Sequence, residues 1–333
     1  MRRALGPALQ LAAPVLLLVA TAGIAVSLSK ARQLEFTNAL VMAAVVVALY
    51  VFVGNSGVIS FGHMSFVAVG AYLAGLVSLD PQTKTFTVPG LFPVLRHAQI
   101  GLVPSLGLAA AAGAVYALVV GLPLMRLSGL PAGIATFAVL GITYNVLSYW
   151  GRVGPQTQTI SSVPETGAWT IAAGAILVVA AAFLYQRSRL GRQLRATRED
   201  PAAARASGID VYRQRLLAFT LSGALAGLAG GLYVHQLGLI SADLFYLDLT
   251  FLTLAMLVFG GVGSLWGAVL GALAISALNS FLGDAEDTVH VGFALKLHAG
   301  TRLVTVGAVM ALVLILRPSG LTGGREFGLP WRR

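Results

Sequence analysis

The sequence predicts an all-α protein that is embedded in a membrane. Of its 333 residues, 57% are hydrophobic and 10% are charged, whereas soluble proteins carry roughly 25% charged residues. Apolar runs of about 20 residues, the length that crosses a bilayer, recur along the whole chain. No segment shows the alternating pattern that is typical of membrane β-barrels. Helices, which satisfy their own backbone hydrogen bonds, are therefore the predicted spanning elements of a polytopic inner-membrane protein.

Ten apolar stretches are the candidate transmembrane helices, and glycine, proline or charged residues separate them. They fall at residues 8–28, 36–53, 58–79, 100–125, 130–150, 168–186, 216–236, 247–262, 265–282 and 301–316. Eight or nine spans would result if 54–79 or 260–282 is re-entrant. The first stretch is longer than the apolar core of a signal peptide, about 7–15 residues, so we expect it to be a span.

The charges predict which ends of these helices face the cytoplasm. Lysine and arginine accumulate in cytoplasmic loops, and residues 187–215 hold eight arginines against three acidic residues. With six spans before that segment and four after it, both termini are also cytoplasmic. The loop 283–299, which carries Asp284, Glu286 and Asp287, then faces outward. We expect one transmembrane domain over residues 1–333, with 187–215 as its cytoplasmic loop.

Few residues offer chemistry of their own. The chain has no cysteine, which excludes disulfides and thiolate metal sites. None of its three lysines lies in a phosphate-binding G-x-x-x-x-G-K-[ST] loop, and its five histidines lack the spacing of a helix-borne metal pair. We therefore predict no catalytic residue, no metal and no cofactor. Because the basic charge lies in loops between spans, membrane lipid rather than nucleic acid is its expected partner.

Carboxylates avoid the centres of the predicted spans. Glu35, Asp243 and Asp248 lie near predicted interfaces, and Glu165 lies in a loop. A proton- or sodium-coupled carrier usually keeps an acidic residue inside the bilayer, where it carries the coupling. If the protein moves a solute uphill, we expect a partner to supply the energy. A secondary carrier or channel that works alone is the alternative, and a membrane enzyme is a third, less favoured one.

A polar cluster of Ser60, His63 and Ser65 opens the third apolar stretch, just after Gly54 and Gly57. In one interpretation these side chains satisfy one another and the backbone at the start of a helix. In the other, the glycine-rich break is a discontinuous helix of the kind that exposes backbone groups to solute in many transporters. The three residues would then line or gate the pathway. The pattern does not decide between the two.

Glycines spaced four residues apart predict faces where helices pack closely. Such a spacing places the missing side chains on one helix face, so that two backbones can approach each other. We favour this packing role over a contact with solute. The two series are Gly223, Gly227 and Gly231, and Gly263, Gly267 and Gly271.

The basic segment 187–215 predicts a short helix that docks on a partner. Asp200 is a good N-cap, Pro201 suits the first helical position, and Gly208 can adopt the left-handed conformation that ends a helix. A helix of about two turns is too short to be stable alone, so we expect it to pack against another protein. In the alternative interpretation, the arginines of this segment, Arg192 and Arg195 among them, bind anionic lipid headgroups and nothing docks.

Four stretches of the chain resemble the larger permease subunit of the high-affinity branched-chain amino acid ABC transporters. The resemblance covers most of the chain, and the stretches occur in the order and at the spacing of that family. They are Gly54–His63 with Gly70-Ala71-Tyr72; Gly191-Arg192, Arg198-Glu199-Asp200, Ala202-Ala203-Ala204 and Gly208; Phe259–Gly267; and Arg317–Leu321.

The resemblance implies a division of labour. This chain would be one permease, working with a second homologous permease, two cytoplasmic ABC ATPases and a periplasmic or lipid-anchored solute-binding protein. It also implies that part of the basic segment couples the permease to the ATPases. The implied coupling residues are Arg192, Arg198, Glu199, Asp200, Pro201, Ala204 and Gly208.

Two departures from that family concern the solute. The family commonly has an acidic residue after its A-T-L-A-F-G stretch, whereas this chain reads Ala135 to Gly141 and continues with Ile142. The T-G-G-x-x-G-L loop that follows in the family is replaced by residues 154–159. Branched-chain amino acids are the expected solutes, and another amino acid, an amide or urea are the alternatives.

Overall fold

A computed structural model describes residues 2–286, 289–291, 293–295 and 301–327. The two ends of the chain, Met1 and residues 328–333, which we predict to be cytoplasmic, lie outside these residues, as does Asp287 of the predicted outward-facing loop. The helices are α1 (Arg2–Val26), α2 (Lys30–Ser56), α3 (His63–Ser78), α4 (Pro81–Thr87), α5 (Pro93–His97), α6 (Leu102–Leu124), α7 (Leu130–Tyr149), α8 (Ala168–Arg187), α9 (Arg189–Glu199), α10 (Pro201–Ala206), α11 (Val211–Leu237), α12 (Leu247–Gly260), α13 (Leu265–Glu286) and α14 (Thr301–Leu316). The strands form two small antiparallel pairs, β1 (Ile160–Ser161) with β2 (Leu239–Ile240), and β3 (Val289–Val291) with β4 (Phe293–Leu295).

The helices confirm the predicted fold class of an all-α polytopic membrane protein. Within the part of the chain that the structure describes, eight helical segments are long and apolar enough to cross a bilayer. They are α1, α2, α6, α7, α8, α11, α13, and α12 together with the 3-10 turn before it, Asp243–Gly260. The third predicted span is shorter: α3 has 16 residues and meets α4 at an angle of 118°. The tenth, α14, also has 16 residues. The count of ten spans stays a prediction.

Helix α2 is the centre of the bundle. Nearly every residue from 37 to 56 is buried, as expected of a helix that is apolar on all sides and surrounded by other helices. It packs against α1, α8, α11, α12 and α13. One polar contact joins it to α8, where the Tyr50 hydroxyl donates to Oε1 of Gln186 at 2.7 Å. Because this hydrogen bond is buried, it fixes the register of the two helices.

Helix α11 packs most extensively on α6 and α3, and its glycines allow the close approach. A Cβ atom added to Gly227 would overlap the carbonyl oxygen of Ala109 in α6, and one added to Gly223 would lie 2.7 Å from the carbonyl oxygen of Gly113. Gly231 faces Leu106 and Ala109 of α6. The three glycines of this series therefore lie on one face of α11, against α6.

The second glycine series lies only in part on a helix. A Cβ atom on Gly267 would lie 2.6 Å from the carbonyl oxygen of Gly260, and one on Gly271 would overlap that of Met256. These two glycines bring α13 onto α12. Gly263 instead lies in the turn before α13, where a Cβ atom would be 3.5 Å from its nearest neighbour, an oxygen of Gly324. It does not belong to the packed face, because α13 begins only at Leu265.

The loops contact one another in two groups, at opposite ends of the bundle. At one end, Arg198 contacts Gly54 and Glu326 contacts Leu265. At the other end, β1 in the loop before α8 pairs with β2 after α11. In the ten-span topology the loops of each group lie on the same side of the membrane. The arginine count predicts that the first group lies in the cytoplasm.

Two serines form a matched test of this orientation. Ser207 follows α10, Ser162 follows β1, and both are exposed. We expect Ser162→Cys to react with a membrane-impermeant maleimide in spheroplasts, and Ser207→Cys to react only after the membrane is opened. The native chain has no cysteine, so it serves as the unlabelled control. Equal labelling of both variants in intact spheroplasts would contradict the topology.

Candidate coupling site

Helix α9 attaches the basic segment to the membrane-spanning helices. The Ser188 side chain caps its first turn by accepting a hydrogen bond from the Gly191 N–H at 3.1 Å. Its buried face consists of Gly191, Leu194 and Thr197. This face packs against α2, α8 and α11. This one-sided burial follows from the amphipathic sequence of the helix. The segment is therefore anchored to the bundle rather than extended into solvent.

Arg198 connects the end of α9 to the end of α2. Its Nη1 donates to the carbonyl oxygen of Gly54 at 2.6 Å, where a cation is favoured by the helix dipole. Gly57 has a φ of 72° and ends α2, and a Cβ atom there would lie 2.9 Å from Cγ of Arg198. Gly57 thus provides both the left-handed turn and the room for the arginine. This contact joins α9 to the end of α2, just before the segment that leads to α3.

The predicted short helix is present as α10. Oδ1 of Asp200 accepts hydrogen bonds from the N–H groups of Ala202 at 2.8 Å and Ala203 at 3.0 Å. The bonds from Ala203 and Ala202 lower the pKa of the Asp200 carboxyl, so the cap is intact at neutral pH and is lost only as that carboxyl becomes protonated in acid. Gly208, at a φ of 79°, ends the helix, and its N–H donates to the carbonyl oxygen of Arg205.

Apart from Arg205, the exposed surface of α10 consists of small side chains. Ala202, Ala203, Ala206 and Ser207 are exposed, and Ala204 is the one buried residue of this helix. A short helix with alanines on its outer side can approach another backbone closely, as small residues do at helix interfaces. Its position beyond α9 also leaves it free of the bundle on that side. This surface can dock into a groove of another protein.

The structure separates Arg192 from the other predicted coupling residues. Nη1 of Arg192 donates to the carbonyl oxygen of Arg187 at 2.9 Å, at the end of α8, whereas Pro201, Ala204 and Gly208 belong to α10 and its C-cap. Glu199 is exposed at the end of α9, immediately before the Asp200 cap. The predicted set therefore divides into Arg192, which bonds to α8, Arg198, which bonds to α2, and a group in or beside α10 in which Ala204 is buried and the others are exposed.

The candidate pathway residues are buried. Ser60, His63 and Ser65 are 2%, 3% and 0% exposed, and in the described residues their hydroxyl oxygens and Nε2 of His63 have no hydrogen-bond partner. The three side chains thus do not satisfy one another in this conformation. An unpaired buried polar group costs about 1–3 kcal/mol, so this cluster is a costly part of the interior. The backbone beside it is held by Thr136, whose Oγ1 accepts from the Phe61 N–H at 3.1 Å.

Two side-chain clusters could not be predicted from the sequence, because their members are far apart in the chain. The ring of Phe61 lies 6.4 Å from that of Phe137 and 6.3 Å from that of Phe251, edge to face. Phe137 and Phe251 are about half exposed. These rings mark a partly open apolar face formed by α7, α12 and the break before α3.

The second cluster lies at the opposite end of α7. The hydroxyl of Tyr144 donates to Oδ1 of Asp243 at 2.7 Å, and the rings of Tyr144 and Tyr246 stack with centroids 4.0 Å apart. The buried Tyr72 hydroxyl has no hydrogen-bond partner among the described residues. A carboxylate beside aromatic faces is a chemical environment that binds organic ammonium groups. No spacing in the sequence signals it, because Tyr144 and Asp243 are 99 residues apart.

Comparison with known proteins identifies the family of the chain. A family model described as branched-chain amino acid transport system, permease component, matches residues 34–316. The chain is 26% identical over 309 residues to the high-affinity branched-chain amino acid transport system permease protein LivM of Salmonella typhimurium and of Escherichia coli K12, over 82% of this chain. It is 28% identical over 310 residues to the autoinducer 2 import system permease protein LsrC of Enterobacter sp. strain 638, over 87% of this chain and 88% of that protein.

The chain spans 65% of the length of the two LivM proteins. No solved structure matches it. The family model covers the helices from α2 to α14, which include the α10 surface, both glycine crossings and the break before α3. The chain therefore belongs to the family of branched-chain amino acid transport permeases and is a multi-pass protein of the bacterial inner membrane.

Proposed function

We propose that the chain is a permease subunit of an ABC importer and forms half of its translocation pathway. ATP would be hydrolysed by two partner ATPases in the cytoplasm. The observation that supports this most strongly is α10, a capped and exposed two-turn helix whose exposed side chains are small apart from Arg205. It lies at the end of the bundle where the basic segment is, and this is the geometry that a docking element needs.

Coupling would run from α10 through α9 to the start of α3. Arg198 joins α9 to the last turn of α2, and residues 57–62 lead from there to His63. A partner that moves α10 would thus move the break on which the buried polar cluster lies. Opening of that break would give Ser60, His63 and Ser65 the solvent contacts that they lack in this conformation.

Two further partners complete the proposed importer. The partly exposed apolar face at Phe137 and Phe251 would face a second homologous permease, so that the pathway lies between the two subunits. A periplasmic or lipid-anchored solute-binding protein would deliver the solute to the outward end. There Asp243, Tyr144 and Tyr246 are within reach of the exterior in the ten-span topology.

Branched-chain amino acids are the solutes that these two sites support best. Asp243 beside two tyrosines would bind the α-ammonium group when the solute enters. The ring cluster of Phe61, Phe137 and Phe251, about two turns away along α7, would contact its apolar side chain at a later stage of transport. The LsrC relatives are permeases for autoinducer 2, and this makes a different solute the second candidate. Of these two kinds of solute, only the branched-chain amino acids, which carry an ammonium group, require a carboxylate at position 243.

Uptake into proteoliposomes tests the proposal. With both permeases, the ATPases and the binding protein present, we expect ATP-dependent uptake of leucine, isoleucine and valine. Asp243→Asn should raise the solute concentration for half-maximal uptake by about tenfold or more, because a charge-assisted contact is lost. Asp248→Asn, which removes an exposed carboxylate in the first turn of α12, is the matched control and should change it less than twofold.

The outcomes separate the two parts of the proposal. Uptake that does not depend on ATP would reject an ABC importer and favour a carrier that works alone. ATP-dependent uptake that is unchanged by Asp243→Asn would keep the importer and reject this site for the ammonium group.

A further inference from the structure

A cavity of about 490 Å³ lies where α8 ends, between α1, α9 and the turn before α13. It is separate from the α10 surface and from both clusters along α7. Its lining is mostly polar and includes three arginines. The residues are Gln10, Gln186, Arg187, Arg192, Arg195, Gly263 and Glu326.

The three arginines have donors to spare. Nη1 of Arg192 donates to the carbonyl oxygen of Arg187 at 2.9 Å, and Nη2 of Arg195 donates to that of Gln186 at 2.6 Å. These bonds cap the end of α8, but each guanidinium carries five N–H donors. Arg187 lies over the ring of Phe183. In the described residues none of the three arginines has a carboxylate within 4.0 Å.

The one acidic residue of the lining is already engaged. Oε1 of Glu326 accepts from the Leu265 N–H at 2.9 Å, and Oε2 accepts from the Trp266 N–H at 3.2 Å. This carboxylate caps the start of α13, where the helix dipole favours a negative charge. Glu326 keeps its negative charge, but it faces three arginines, so the lining of the cavity has a net positive charge that attracts an anion.

The surroundings of the cavity indicate a lipid. Leu184, one turn before Arg187 on α8, is 68% exposed. Leu177, two turns before Leu184, is 56% exposed. This apolar stripe leads from the membrane-spanning part of α8 to its end, where acyl chains can lie along it. Basic pockets between spans on the cytoplasmic side bind anionic headgroups.

We propose that this cavity binds the headgroup phosphate of an anionic phospholipid of the cytoplasmic leaflet. Arg192 and Arg195 contact the phosphate oxygens with the donors that do not cap α8, and Arg187 closes the site on the membrane side. The bound lipid joins α9 to α8 and α1, and so holds the helix that carries Arg198 in place. The proposal does not depend on the solute or on docking by α10.

Lipid retention by the purified full chain tests the proposal. The protein is delipidated in an uncharged detergent and given phosphatidylglycerol, phosphatidylcholine or inorganic phosphate. We expect phosphatidylglycerol alone to raise the unfolding temperature and to be retained in native mass spectrometry. Arg192→Gln with Arg195→Gln should weaken this binding by roughly 30-fold, because each substitution removes the attraction between one arginine and the anionic lipid.

Matched variants control for charge and for folding. Arg205→Gln with Arg213→Gln removes two exposed arginines of the same segment outside the cavity, and should change binding less than twofold. Arg192→Lys with Arg195→Lys keeps the charge and should retain most of the binding. If the glutamine pair fails to fold, the comparison of phosphatidylglycerol, phosphatidylcholine and inorganic phosphate on the native chain still tests whether the cavity prefers an anionic lipid.

Three results would overturn the proposal. In the first, the glutamine pair at Arg192 and Arg195 binds phosphatidylglycerol as tightly as the native chain does. In the second, inorganic phosphate stabilises the protein as well as the lipid does, which would reassign the cavity to a free anion. In the third, the glutamine pair keeps its lipid but loses its ATPases, which would make the cavity a protein contact.

Discussion

Ala203→Trp is expected to abolish most ATP-driven uptake while the protein remains in the membrane at its normal level. Ala203 is exposed on α10, and the Asp200 side chain caps the helix through backbone groups that the substitution leaves in place. An indole on this surface would hold the partner away from the helix. Overpacking of a close contact costs typically 1–3 kcal/mol, so we expect association with the ATPases to weaken by about tenfold to a hundredfold.

The control for this prediction is Ser162→Trp, an equally large residue at an exposed position at the other end of the bundle. It should leave both ATPase association and uptake near the native level. If Ala203→Trp behaved like this control, α10 would not be a docking surface, and the basic segment would have to act in another way.

Gly227→Ala is expected to destabilise the protein, although alanine normally favours a helix over glycine by about 0.5–1 kcal/mol. The added methyl group would overlap the carbonyl oxygen of Ala109, so α11 and α6 would have to move apart. Overpacking of this kind costs about 1–3 kcal/mol. A lower unfolding temperature in detergent and less folded protein in the membrane are the expected results.

Gly107→Ala is the matched control within the same pair of helices. Gly107 lies in α6, but a Cβ atom there would meet nothing within 4 Å. This variant should be neutral or more stable than the native chain, so the two substitutions should shift the unfolding temperature in opposite directions. Shifts of the same sign and size would show that the glycine crossing does not limit the packing of α11.

The fold class and α10 were predictable because the signals for both are local. An apolar run of about 20 residues needs a membrane whatever surrounds it, and the caps at Asp200 and Gly208 act within a few residues of themselves. The same holds for the glycines of α11, whose spacing alone places them on one face. Gly263 shows where this reasoning fails, since the spacing does not reveal that α13 begins two residues later.

The contacts between elements that are distant in the sequence were not predictable. Arg198 and Gly54 are 144 residues apart, so their contact depends on how α9 folds back onto α2. The sequence also left open whether Ser60, His63 and Ser65 pair with one another. Their burial depends on how the break before α3 packs against Thr136 of α7, which no periodicity encodes.

The most direct test of the account is a photo-crosslinker attached to a cysteine at position 207. In membranes that hold the assembled importer, a benzophenone maleimide on Ser207→Cys should capture an ATPase subunit upon illumination, and the yield should change when ATP is added. The same reagent on Ser162→Cys should capture no ATPase. Capture from position 162, or none from position 207 in a complex that hydrolyses ATP, would contradict docking of α10 on the ATPases.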